Sequence, residues 1–390
     1  MKRVLFVIPG LDHGGTNKSL KNLLGLMDSS GIQVQILALH AAGPYQKDFE
    51  QYLLPSVQAM TEAFGTFEKK NGNEPCLAFL QRLWWKLIYV VIYRRVDERL
   101  CAAVGRRLKY AKFDTVVAFQ ESTATVLSAH IPALKRIAWV RCDYKNYLKQ
   151  RQSRESEENI YIRFDHVICV SEFTAEVFRT FYPGLADRVL SIHNMIDTKA
   201  IQSAALESIE DARFRKAAFT LVSVGRFAPE KRFAEIPAMA AYLKKRGIPF
   251  VWYIIGDGGS EKAAILNNLE KEKVSDRVIL LGEKMNPYPY ILSSDVLVCP
   301  SFTEACPNVV NEAKILHVPV VAADFPAAKE YIENDVNGII APIEQIAPVL
   351  AKLFSDKQYY KRLKDGISTF EYDNEEIKKR IEHTIYGETK

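Results

Sequence analysis

The chain has 390 residues, 48% hydrophobic and 25% charged, with a formal net charge of +5. That composition supports two domains with separate cores and excludes a chain disordered throughout. No apolar run reaches the ~18 to 20 residues that a membrane-spanning helix needs, residues 84–93 coming nearest. The opening MKRVLFVIPG is interrupted too early for a signal peptide.

Six cysteines show no C-x-x-C pair and no histidines at zinc spacing, which predicts reduced thiols, no metal and a cytoplasmic protein. The charge is uneven. Residues 1–195 hold 26 Lys+Arg against 19 Asp+Glu, and the remainder 26 against 28. Much of the excess lies in 82–112, with nine basic and two acidic residues. Nucleic acid, an anionic membrane surface and a phosphorylated substrate all fit such a window.

Short β-branched runs alternate with helical periods from the first residues on, the pattern of α/β domains with parallel sheets. The first predicted strand, 4–8, is followed by a loop in which Gly14 and Gly15 precede a helical period. Such a turn binds phosphate through free N–H groups or simply joins strand to helix. It is neither G-x-G-x-x-G nor a P-loop. Strands follow at 33–39, 115–119, 136–140, 166–170 and 189–192. Between the second and third, 78–95 mixes tryptophans, tyrosines and bases, as an interfacial helix does, although a core helix with basic ends reads the same way. The polar stretch 194–218 marks a domain boundary.

The second half predicts strands at 220–224, 251–255, 278–281, 296–299, 318–322 and 338–341. The first ends in SVGRFAPEK, where Arg226 and Lys231 offer two cations to one anion; spacing alone favours two solvated surface bases. The second ends in Gly256-Asp-Gly-Gly259, which reads as a simple loop. After 296–299 comes PSFTEACPNVVNEA. Pro307 suits a helix start, which leaves Glu304 on the loop and Glu312 in the second turn, about 12 Å along. Two cations and two carboxylates at successive strand ends suit a nucleotide sugar, while one acid complementing a helix dipole and one surface acid is the plainer account. Asn374–Tyr386 reads as an amphipathic helix, acids first and bases later.

Taken together, SFTEACPNVVNEA, VGRFAPEK and NPYPYILSSDVLVCPS, with weaker support from the glycine pair and IHNMID, resemble the retaining nucleotide-sugar glycosyltransferases of family 4. The resemblance covers nearly the whole chain. It implies the GT-B fold, an α/β architecture of two facing Rossmann-like, doubly wound parallel-sheet domains with an inter-domain cleft. Residues 1–195 would bind the acceptor and 196–373 the nucleotide sugar, with 374–390 packing back toward the first domain. The resemblance further implies that Glu304 meets the sugar hydroxyls, that Glu312 holds the ribose, and that Arg226, Lys231 and the Gly15 amide bind the diphosphate. Gly14 and Asn308 join the donor-binding set.

Two positions depart from the family. Where its members often carry a histidine in a W-x-H-x-D context, this chain has Trp139-Val-Arg141-Cys-Asp143. Arg141 takes the catalytic position, with Asp143 near enough to pair with it; a permanent cation cannot imitate neutral imidazole. Ala305-Cys306 replaces the usual glycine and bulky residue, which bears on donor preference.

The implied reaction moves a hexosyl or N-acetylhexosaminyl group from a UDP-sugar to a glycan or polyprenyl-diphosphate-linked acceptor, with no metal and no other cofactor. Its setting is cell-envelope or capsular polysaccharide synthesis. An anionic membrane surface is one partner that fits 78–112 and would place the cytoplasmic protein on the inner face of the plasma membrane, a buried core helix being the equal alternative; no nucleic acid is expected. A GT-B-type epimerase and a non-catalytic sugar-nucleotide-binding subunit remain as alternatives.

Overall fold

The computed structural model describes residues 1–12, 14–28, 30–40, 43–54, 96–149 and 154–387. The segment 78–95 lies outside them. The chain divides into two compact units, one formed by Met1–Ile196 with Asn374–Lys390 and the other by Asp197–Asp373.

The first unit holds a six-stranded sheet ordered β2-β1-β3-β4-β5-β6. Its strands are β1 (Lys2–Ile8), β2 (Ile32–Ala38), β3 (Phe113–Ala118), β4 (Ala133–Val140), β5 (His166–Cys169) and β6 (Val189–Ser191). Every pair is parallel. Sheets covered on both faces need near-continuous apolar strands, and β1 obeys, with Val4 to Ile8 fully buried. Leu53 adds a parallel bridge to Ile36 at the sheet edge. The strand order therefore reverses between β1 and β3, where a doubly wound sheet places its ligand crevice.

The last helix, Asn374–Tyr386, belongs to this unit. It buries Ile381 and Ile385. Thr115 Oγ1 donates to the Ile385 carbonyl at 2.9 Å, and Lys135 Nζ to that of Thr384 at 3.1 Å, so carbonyls of its last turn, which lack partners within the helix, are satisfied by the sheet.

The second unit repeats the plan with β7 (Phe219–Val224), β8 (Phe250–Ile255), β9 (Val278–Gly282), β10 (Val296–Cys299), β11 (Val320–Ala323) and β12 (Gly338–Ala341). The order is β12-β11-β10-β7-β8-β9, again parallel throughout. The eleventh strand starts at Val320 rather than 318, because Pro319 has no N–H to give to a ladder; it still accepts through its carbonyl from Leu297. Trp252 and Ser223 tie the middle of the sheet. Trp252 Nε1 donates to Ser223 Oγ at 3.1 Å, and Ser223 Oγ donates to the Val298 carbonyl at 2.7 Å. Here the order reverses between β7 and β10.

The five described cysteines, Cys101, Cys142, Cys169, Cys299 and Cys306, are free thiols. No helix among the described residues is long and apolar enough to cross a membrane.

Candidate functional site

In the second unit, the chain leaves β7 through Gly225 and Arg226 and enters a 3-10 turn, Pro229–Lys231. Proline sets the entry φ of such a turn, and Arg232, left-handed at φ 52°, ends it. Phe227 is buried and fixes the loop from beneath. Its N–H donates to the Gly258 carbonyl at 2.8 Å, and its carbonyl accepts from Glu261 N–H at 2.9 Å. The loops after β7 and β8 are thus knitted by backbone bonds. Gly256 permits this: at φ 140°, a Cβ there would stand 1.9 Å from the Gly225 carbonyl oxygen. The segment that reads in sequence as a simple loop is a site of close backbone approach.

The loop after β10 joins from the other side, with Phe302 N–H donating to the Glu230 carbonyl at 3.0 Å. Lys231 and Glu304 meet there. Lys231 Nζ lies 2.5 Å from Glu304 Oε1, and the two side chains are 20% and 11% exposed. Ser301 Oγ donates to the same oxygen at 2.7 Å. The stem of Lys231 runs along Gly225, where a Cβ would touch it at 3.7 Å and press on the Phe233 ring at 3.3 Å. Burial pulls the Lys231 ammonium down, but the Glu304 carboxylate, with help from Cys299 and Glu230, raises it above the ordinary lysine value. Burial likewise pushes the Cys299 thiol up to about 11.

The two predicted cations therefore stand unequally. Lys231 is enclosed at the reversal of strand order, whereas Arg226 is 73% exposed and 3.5 Å from Glu230, a surface pair of small worth. The helix Asn308–Ile315 follows Pro307 and holds Glu312, buried, in its second turn. Asn308 opens the helix, with Oδ1 3.5 Å from the Cys306 thiol. Ser301 escaped the sequence reading. Only its hydrogen bond to Glu304 marks it, and serine after a strand carries no signal by itself.

In the first unit, the loop after β1 is fastened by Asn17, whose Nδ2 donates to the carbonyls of Gly10 and Asp12 at 3.0 and 2.8 Å. Gly14 precedes the helix Gly15–Leu26 in an extended conformation, and a Cβ there would meet nothing within 4 Å. Open space, not crowding, surrounds it. The helix has no side-chain cap and no acid in its first turn, so no carboxylate there opposes the positive end of its dipole.

Arg141 follows β4. Its guanidinium carbon lies 3.8 Å from the Phe119 ring centroid and 4.8 Å from that of Trp139. Nε donates to the Phe119 carbonyl at 2.9 Å and Nη1 to Asn194 Oδ1 at 2.7 Å. The Arg141 backbone N–H donates to Glu121 Oε2 at 2.7 Å, and burial raises the Glu121 carboxyl above its ordinary value. Asp143 accepts from the backbone N–H groups of Lys145 and Asn146. Neither Glu121 nor Asn194 was singled out from sequence as a partner of Arg141. They lie 20 and 53 positions away and arrive only through strand order.

Comparison with known proteins decides the family. The model of Glycosyltransferase Family 4 matches residues 13–200, and that of Glycosyl transferases group 1 matches residues 206–369. The chain is a group 1 glycosyltransferase. An uncharacterized glycosyltransferase of Methanocaldococcus jannaschii is 23% identical to it over 65% of this chain and 72% of its own length. The UDP-Gal:alpha-D-GlcNAc-diphosphoundecaprenol alpha-1,3-galactosyltransferase of Escherichia coli is 27% identical over 34% of this chain, which spans only 35% of that relative. The crystal structure of Anabaena HepE in complex with UDP and glucose covers 98% of this transferase and 99% of its own chain. Its TM-score is 0.72 at 18% identity. That likeness establishes the two-domain, Rossmann-like GT-B fold of the transferase.

Proposed function

We propose that this transferase moves a hexosyl or N-acetylhexosaminyl group from a UDP-sugar to a glycan or polyprenyl-diphosphate-linked glycan, with retention at the anomeric carbon. The setting would be cell-envelope or capsular polysaccharide synthesis. One observation carries the reading: Lys231, Ser301 and Glu304 converge where the β7 and β10 loops meet, the place a doubly wound sheet reserves for its ligand. The choice of UDP and of a lipid-linked acceptor rests on what the E. coli and Anabaena proteins are named for.

In this proposal Lys231 and the more exposed Arg226 neutralise the diphosphate as it departs, while Glu304 accepts from sugar hydroxyls and Glu312 from the ribose. Asn308, Gly14 and the Gly15 amide belong to the same binding set. Arg141, which cannot act as a base, holds a hydroxyl or phosphate oxygen. The acceptor oxygen bonds to the anomeric carbon as the bond from that carbon to the diphosphate oxygen breaks, and the acceptor proton passes to the leaving phosphate on the same face. No protein nucleophile is needed. Catalysis rests on positioning and on charge stabilisation, and the two side-chain cations supply the positive charge without a metal.

The test is to incubate the purified chain with UDP-, GDP- and ADP-sugars, with and without a membrane extract, and measure nucleoside diphosphate release and sugar transfer. Release from UDP-sugars with transfer to a lipid fraction is expected. Release from GDP- or ADP-sugars alone overturns the choice of nucleotide.

A lipid-linked acceptor would bring the protein to the anionic inner leaflet, with 78–112 as the docking segment. Among its described residues, Arg106 and Arg107 are exposed in the last turn of the helix Val96–Arg107. Flotation with anionic liposomes is expected to fail when Arg94, Arg95, Arg106 and Arg107 are changed to Ser; unchanged flotation removes the docking role.

A further inference from the structure

Glu304 carries both of its hydrogen bonds on one oxygen. Lys231 Nζ and Ser301 Oγ each donate to Oε1, while the second carboxylate oxygen accepts none among the described residues. A carboxylate has room for about four donors. The Lys231 ammonium is enclosed as well, and charges so placed are screened far less than in water.

A diphosphate that reaches Lys231 competes with Glu304 for one positive charge. Two anions then share the Lys231 ammonium, Arg226 standing in the open beside Glu230, and no protein donor among the described residues reaches the second carboxylate oxygen. An attached sugar changes this balance, because its hydroxyls can donate to that oxygen. Resting on the donor-site reading above, we propose that the Lys231–Glu304 pair lets the site tell an intact sugar nucleotide from a bare nucleoside diphosphate. It weakens the latter and so promotes its release once the sugar has been transferred. Ser301 is the positioning residue of this device. By sharing Oε1 with Lys231, it lets Glu304 lean less on the ammonium when a phosphate arrives.

Equilibrium titration of the full chain with UDP, and with whichever UDP-sugar it binds, tests the proposal. In Glu304→Gln, UDP is expected to bind about tenfold tighter than to the native chain, because a like charge has gone from beside the diphosphate. The UDP-sugar is expected to bind no tighter, so the native preference shrinks. In Ser301→Ala, Glu304 depends on Lys231 alone, and UDP is expected to weaken roughly two- to threefold while the UDP-sugar changes less.

Opposite signs at two residues bonded through one oxygen are not what general loosening of the loop produces. Unchanged or weakened UDP binding in Glu304→Gln overturns the proposal. If that variant does not fold, judged by its melting curve, Ser301→Ala decides, and equal effects on both ligands overturn it. A native chain that binds UDP and the UDP-sugar equally removes this proposal and leaves the donor site standing. A native chain that binds neither removes both.

Discussion

The carbonyl oxygen of Gly225 lies 1.9 Å from where a Cβ on Gly256 would stand. The carboxyl ends of β7 and β8 close on each other only because position 256 has no side chain. Gly256→Ala is therefore expected to cost at least ~2 kcal/mol, since backbone must move. Gly258→Ala meets nothing within 4 Å and bears only the strain of φ +68°, about 1 kcal/mol. Gly14→Ala, extended and in open space, is expected to change stability by less than ~0.5 kcal/mol. Urea denaturation of the three variants checks the ranking, and equal losses would contradict it.

Glu304 and Glu312 are expected to fail differently. Glu304→Gln should lower kcat about a hundredfold with a small change in donor KM, as loss of one preorganised charge does. Glu312→Gln should raise donor KM about tenfold with kcat nearly kept, the effect of a lost charge-assisted hydrogen bond. Steady-state kinetics on the accepted sugar nucleotide separates the two. Matching profiles would argue against unequal roles.

Arg141 is held by its fork and its flat face together, bonded to Phe119 and Asn194 and stacked on two rings. Lysine cannot reproduce that geometry, so Arg141→Lys is expected to lose at least about tenfold in kcat/KM. Arg141→His is expected to be no better, although histidine is common at this place in the family, because the surroundings here fit a guanidinium. Native-like turnover by the histidine variant would show that the position, not the arginine, matters.

Lys314 points to a stability effect. It sits in the helix that carries Glu312, donates to the Tyr331 carbonyl and lies 4.0 Å from the Phe370 ring centroid. Burial lowers it to about 8 from 10.5, with Glu333 opposing. Between those values the unfolded chain holds a proton that the folded chain has released. Stability from this group therefore rises with pH across that window, and below it the cost of a buried charge is fully present. Lys314→Met is expected to gain on the native protein at pH 7 relative to pH 10.5 by up to about 3 kcal/mol. Denaturation curves of both proteins at the two pH values check the sign, since other titrations cancel in the difference.

Much of the fold was legible because its signal is local. Twelve predicted strands correspond to the twelve observed among the described residues, since a strand buried on both faces must be apolar along its length. Pro307 also marked the helix start, standing at the N-cap just before Asn308–Ile315 rather than in its first turn and leaving Glu304 on the loop and Glu312 in the second turn. Other features were not legible. Arg226 and Lys231, read as a matched pair, occupy different surroundings, because the 3-10 turn at Pro229 directs one outward and folds the other over Gly225.

By itself the sequence determined the alternation of strands and helices, the run of candidate residues at strand ends and the family those residues resemble. All of these are set by residue type and spacing along the chain. Only the tertiary structure decided that Lys231 closes on Glu304, 73 positions away, and that Arg141 is framed by Glu121 and Asn194. Such contacts depend on strand order, with β7 beside β10, β3 beside β4, and β6 one strand beyond β4's neighbour β5. Strand order follows from crossovers and packing of whole layers, a long-range outcome that no local spacing encodes.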